Sequence, residues 1–130
     1  MSNKMRNRMS DIAAHVAGLD WPAFADELNA NGHAIVPGML AAEDCAAMAA
    51  CYDQPQLFRS RVVMARHGFG SGEYQYFSYP LPPMVAALRQ ALYAPLAAIA
   101  NRWHEAMGME ARFPPDHADF LARCHAAGQT

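Results

Sequence analysis

Apolar positions recur at helical spacing along most of this chain, interrupted once by a stretch that alternates like a strand. Residues 1–9 are polar and read as a mobile tail. Ser10 then stands where a helix cap is favoured, and the short helix it opens runs to Ala17 and stops at Gly18. Asp20 precedes Trp21-Pro22, a favoured helix start, and Trp21, Phe24 and Leu28 share one face of the helix that ends at Gly32. His33-Ala34-Ile35-Val36 reads as a short strand, and Pro37 confines it to an edge because proline donates no ladder hydrogen bond. A second amphipathic helix is predicted over residues 42–52, with Cys45, Met48, Ala49 and Tyr52 on one side. Glu43 and Asp44 occupy its first turn, where the helix dipole favours negative charge.

The middle of the chain changes character. Residues 59–64 and the aromatic run 73–78 read as two strands, joined through a turn containing Gly68, Gly70 and Gly72 into an antiparallel hairpin. Pro82-Pro83 opens the longest helical region, faced by Val85, Leu88 and Leu92. Pro95 is expected to interrupt it, since proline lacks the N–H and clashes with the preceding turn. Leu96, Ile99, Trp103 and Met107 carry the periodicity on to Gly108. After Pro114-Pro115, Asp116 is expected to cap a last helix bearing Phe120, Leu121 and Cys124. This order predicts an α+β fold, mostly helical, with a few antiparallel strands. Residues 1–19 form the tail and short helix, and residues 20–130 one helix and hairpin segment. Three strands leave the sheet unfinished.

Composition sharpens this picture. The chain has 130 residues, enough for one domain. Its hydrophobic content of 53% excludes a disordered chain, but much of it is alanine, so the predicted core is thin. A net charge of -2 lacks the basic footprint of a nucleic-acid-binding domain, while leaving room for a local basic patch. Cys45, Cys51 and Cys124 are widely spaced and odd in number, which reads as buried, reduced thiols in a cytoplasmic chain. Ser10 and Asp11 follow the basic start where a signal peptide needs an apolar run. No stretch of 18 apolar residues occurs, so no membrane partner is expected.

His117-Ala118-Asp119 has the spacing of two ligands of a non-haem iron triad. In the first turn of a helix, however, residues two apart diverge by about 200° around the axis. No metal ligand and no catalytic residue is therefore assigned. Gly68-Phe69-Gly70-Ser71-Gly72 is a hairpin turn rather than a phosphate loop, because a strand and not a helix follows it. Arg59, Arg61, Arg66 and His67 interleave with Phe58, Phe69, Tyr74, Tyr76, Phe77 and Tyr79, a pattern that binds single-stranded nucleic acid or an extended peptide, or simply packs a half-buried hairpin. Arg66, His67, Tyr74 and Tyr76 are the candidates for lining a substrate.

Two sets of segments carry a resemblance. Asn31-Gly32-His33-Ala34-Ile35-Val36-Pro37-Gly38-Met39-Leu40, with the acidic-start helix after it, resembles the entry segment of Fe(II)/2-oxoglutarate-dependent oxygenases. Residues 58–70 (FRSRVVMARHGFG), 72–77 (GEYQYF), 100–103 (ANRW) and 120–130 (FLARCHAAGQT) resemble a bacterial branch of that family, described as prolyl-hydroxylase-like or as acting on damaged DNA. The resemblance implies a double-stranded β-helix that binds Fe(II) and 2-oxoglutarate and hydroxylates a C–H bond with loss of carbon dioxide. It also implies that the iron ligands and the basic residue gripping 2-oxoglutarate belong to barrel strands beyond the segments matched here. The expectation is thus an oxygenase's N-terminal part, truncated before the barrel and inactive alone, binding neither cofactor itself. Its substrate is left open among a peptide, an amino acid, a modified base and a metabolite. Uncovered apolar faces favour self-association, and the alternative reading is a small non-catalytic interaction module.

Overall fold

The structure, a computed structural model, describes residues 3–129. Helix α1 spans Asn3–Ala17, α2 Trp21–Asn31 and α3 Ala42–Ala50. Strands β1 (Phe58–Val63) and β2 (Glu73–Phe77) form an antiparallel hairpin, followed by α4 (Pro83–Ala106) and α5 (His117–Ala126). The fold is mostly helical α+β with one two-stranded sheet among the described residues.

Four local expectations change. The predicted tail, insofar as it is described, is helical: α1 starts at Asn3, and Ser10 lies inside it rather than at its cap. Met1 and Ser2 lie outside the described residues. Helix propagation costs little once nucleated, and the buried pair Ile12 and Val16, one turn apart, secures the second half of α1. Residues 33–36 form no strand, and Ile35 is 73% exposed; a strand without a partner leaves its backbone groups unsatisfied. Helix α4 runs through Pro95 without a break. Ala97 and Ile99 are buried just after it and Tyr93 stacks on Phe120 just before it, so the missing hydrogen bond does not end the helix. The thiols are not uniformly buried either: Cys45 is exposed, and Cys51 and Cys124 are half-buried. Neither α3 nor α5 has a buried residue to carry its neighbouring thiols inward.

Capping is mixed. Asp20 accepts a hydrogen bond from the Ala23 amide at 3.2 Å, as its position before Trp21-Pro22 predicted. Asp116 occupies the cap position of α5 but makes no such bond.

The core is small. Ile12, Val16, Ala25, Ala97 and Ile99 are its buried apolar residues, where α1 packs along α4 and α2 lies beside them. The Trp21 indole N–H donates to the Val16 carbonyl at 3.0 Å and closes the α1–α2 corner. The Trp103 indole donates to Asn29 and ties α4 to α2. By length and mean hydropathy alone α4 is apolar enough to cross a membrane. In this fold it is the helix against which α1 and α5 pack. The accessible surface is 9006 Å². Size scaling gives about 6,800 Å² for a compact monomer of this mass, so roughly a third more surface is open than compactness requires.

Candidate substrate cleft

A second cluster, separate from that core, positions the candidate site. Tyr93 on α4 stacks on Phe120 of α5 at 5.4 Å between centroids, and Phe113 meets Phe120 edge-on at 5.7 Å. The Tyr93 hydroxyl donates to the Pro114 carbonyl at 2.7 Å. The Asn101 side chain clamps Phe113 twice: its amide donates to the Phe113 carbonyl at 2.9 Å, and its oxygen accepts from the Phe113 N–H at 2.7 Å. These bonds satisfy the backbone of the returning loop and hold α5 against α4.

The hairpin supplies the facing wall. Register pairs Ser60 with Tyr76 and Phe58 with Phe77, leaving Arg59 as an extra residue in β1. Such a bulge re-aims the side chain it carries. Regular alternation would place Arg59 beside Arg61; instead the two arginines serve different partners. Arg61 pairs with Glu73 across the hairpin. The hydrogen bond and charge of that partnership raise the Arg61 pKa, and the same hydrogen bond lowers that of the Glu73 carboxyl. Arg59 instead lies over the Tyr76 ring, 5.6 Å from its centroid.

Between the hairpin, the turn at Tyr79, α4 and α5 lies an open cleft of about 380 Å³. Arg59, Gln75, Tyr76, Phe77 and Tyr79 line it from one side, Val85 and Arg89 from α4, and Leu121, Cys124 and His125 from α5. Arg89 donates to the Tyr79 hydroxyl at 2.8 Å and lies 5.9 Å from that ring's centroid. No acidic residue lines the cleft, and neither Arg59 nor Arg89 has a carboxylate partner among the described residues. Both cations are held by neutral aromatic partners, so their charge is oriented but not cancelled. Burial lowers the pKa of His117, and the charge of Arg89 lowers it further. Burial also raises the pKa of the Tyr93 hydroxyl, with Arg123 opposing it.

Of the four residues predicted to line a substrate, the structure brings Tyr76 into the cleft. Tyr74 meets Tyr76 edge-on at 5.5 Å but lies outside the lining, its pKa raised chiefly by desolvation and then by Tyr76. Arg66 and His67 sit in the 3-10 turn Met64–His67 at the other end of the hairpin, exposed and away from the cleft. Arg89 was not anticipated. Its signal was an arginine one turn after Val85, on a helix face otherwise apolar through Leu92.

The residues present do not fit an iron site. His117 packs against the Tyr93 ring at 5.3 Å, Asp119 is exposed, and no three His, Cys, Asp or Glu side chains converge among the described residues.

Residues 72–130 match the model of a family described as an oxygenase catalysing oxidative methylation of damaged DNA. This part of the chain is oxygenase-like. The matched stretch takes in β2, the Tyr79 turn, α4 and α5, and so most of the cleft; Arg59 lies outside it. Two uncharacterized proteins of Mycobacterium tuberculosis, one from each of two strains, are 48% identical to this chain over 54 residues. That similarity covers 42% of this chain and 23% of each relative, so the chain spans about a quarter of their length. No solved structure matches.

Proposed function

We propose that this chain is the N-terminal, substrate-contacting part of an Fe(II)/2-oxoglutarate-dependent oxygenase, inactive without the segment that holds the metal. The observation that carries the reading is the coincidence of the oxygenase match over residues 72–130 with the cleft. In this reading the iron and 2-oxoglutarate supply the C–H oxidation and are held by residues other than those described here. This chain's contribution is positioning: Tyr76, Tyr79, Arg59 and Arg89 orient a substrate, and the α4–α5 cluster keeps their wall rigid. Among the substrates left open by the sequence, the family's description favours a modified base over a peptide, an amino acid or a metabolite.

Succinate release tests this directly. The 130-residue chain, given Fe(II), ascorbate, oxygen and 2-oxoglutarate, is expected to form no succinate above a protein-free control. The longer Mycobacterium tuberculosis relative is expected to form it under the same conditions. Succinate from the short chain would overturn its inactivity. A silent relative, folded and iron-loaded, would overturn the 2-oxoglutarate chemistry.

The second reading, a non-catalytic interaction module, is favoured by the open surface. Phe69 is 75% exposed and Met107 64%, on a chain with five buried apolar residues among those described. Sedimentation over a range of concentrations separates the two readings. A monomer that unfolds cooperatively and binds no cofactor supports the module, whereas self-association fits an oxygenase segment lacking its cover.

A further inference from the structure

We propose that the cleft between the hairpin and the α4–α5 pair binds a nucleotide phosphate, with Arg59 and Arg89 taking the anion and the Tyr76 and Tyr79 side facing the attached ring. This deepens the substrate half of the reading above by assigning its binding site, and it rests on that reading only for the claim that a base is the substrate.

Three features of the cleft point to this ligand. First, its charge is one-signed among the described residues: two guanidinium groups enter it and no side-chain carboxylate does. An arginine whose partners are a phenol oxygen and a ring face keeps its donors and its charge for an oxyanion, and its planar fork matches phosphate. Second, its walls are aromatic and still open. Tyr76 is 48% exposed and Tyr79 51%, and Tyr74 extends the row outward along the hairpin. Planar rings and guanidinium faces are the surfaces on which unstacked bases lie. Third, its floor is apolar, with Val85 and Leu121, and its volume of about 380 Å³ is at the small end of ligand sites, suited to one nucleotide at a time. The bulge at Arg59 adds a structural reason: it removes this arginine from the Glu73 side of the hairpin and gives it to the cleft.

The phosphate and ring come either from a free nucleotide or from a single strand, and the test separates them. The full 130-residue chain is titrated into a fluorescein-labelled thymidine strand of about ten nucleotides, followed by anisotropy without iron or 2-oxoglutarate. Arg59→Gln and Arg89→Gln are each expected to weaken binding roughly ten- to a hundredfold, the loss typical of a charge-assisted hydrogen bond. Each is also expected to make the salt dependence shallower, by about 0.7 in log–log slope for every phosphate no longer neutralised. Arg66→Gln, at the far end of the hairpin, is expected to bind as the parent does. Arg89→Lys guards against a folding defect: it keeps the charge, loses the fork and should fall between parent and Arg89→Gln. Thymidine monophosphate displacing the strand at equal affinity supports the free nucleotide as the source, and a much tighter strand supports single-stranded nucleic acid. Inorganic phosphate competing as well as thymidine monophosphate overturns the proposal, because the ring is then not recognised. So does an absence of binding, or an equal loss in Arg66→Gln and Arg59→Gln. Because no turnover is read, failure here leaves the succinate result untouched, and failure there leaves this site standing.

Discussion

Replacing Asn101 with alanine removes the two bonds that clamp Phe113 and therefore the seat of α5. The side chain satisfies both the N–H and the carbonyl of one residue, at 2.7 and 2.9 Å, in a part-buried position. Each bond contributes about 1 kcal/mol net, so about 2 kcal/mol is lost. Alanine is the better helix former by roughly 0.5 kcal/mol at this interior position of α4, which leaves a net loss of about 1.5 kcal/mol. With an unfolding entropy of about 2.1 cal/mol/K per residue, a chain of 130 residues loses roughly 5 °C of Tm. Asn101→Asp makes a sharper comparison. Its carboxylate still accepts from the Phe113 N–H but faces the Phe113 carbonyl with a second acceptor, so at neutral pH it should cost at least as much as alanine. In acid, protonation restores a donor and the deficit should narrow. Differential scanning calorimetry of the three proteins reads both effects. A drop of less than about 2 °C for Asn101→Ala would refute the clamp as a source of stability.

Other perturbations have equally definite signs. His117 has its pKa pushed below the ordinary 6.5 by burial and by Arg89, so the unfolded chain binds the extra proton first. Its contribution to stability is therefore complete above pH 6.5 and declines as pH falls toward the depressed folded value; thermal melts of His117→Phe should lack that part of the acid slope. Pro95→Ala restores an N–H inside α4 and is expected to stabilise by about 1–3 kcal/mol in urea titration; a loss would mean that the proline's shape is needed in the groove it lines with Trp21 and Pro22 of α2. Arg8→Ala separates α1 from Glu43 and Asp44 of α3, bonded at 2.7 and 2.5 Å. Since Arg8 is partly exposed, the cost should stay below about 1 kcal/mol and shrink as salt is raised, which melts at two ionic strengths would check.

What the sequence made legible was local. Helix α2 with Asp20 and Pro22 at its start, and the hairpin with its aromatic strand, follow from capping chemistry and alternation, which act over a few residues. The misreadings have long-range causes. Proline breaks helices in isolation, but the Tyr93–Phe120 stack before Pro95 and the buried Ala97 and Ile99 after it carry α4 through. Residues 33–36 had strand composition and no strand to pair with. Residues 3–9 read as polar although Met5 and Met9 extend the Ile12–Val16 spacing, and their helix is secured further along by Ile12 and Val16. The cleft was half legible: Tyr76 and the basic-aromatic pattern were visible, whereas Arg89 joins them only because the α4–α5 aromatic cluster fixes where that helix face looks.

Net charge is a coarse guide to the cleft for a related reason. A chain at -2 carries no overall field for an anion, yet three of its acids are paired away from the cleft and no described acid lines it. Glu43 and Asp44 meet Arg8 on α3, and Glu73 meets Arg61 on the hairpin. Each of these pairs cancels locally and acts little at a distance, because exposed charges are screened within about 10 Å. Arg59 and Arg89 escape cancellation, the first through one extra residue in β1 and the second through a phenol partner in place of a carboxylate. The quantity that decides what the cleft attracts is therefore the charge left after local pairing. Inside the cleft that remainder is positive, whatever the sign of the whole chain.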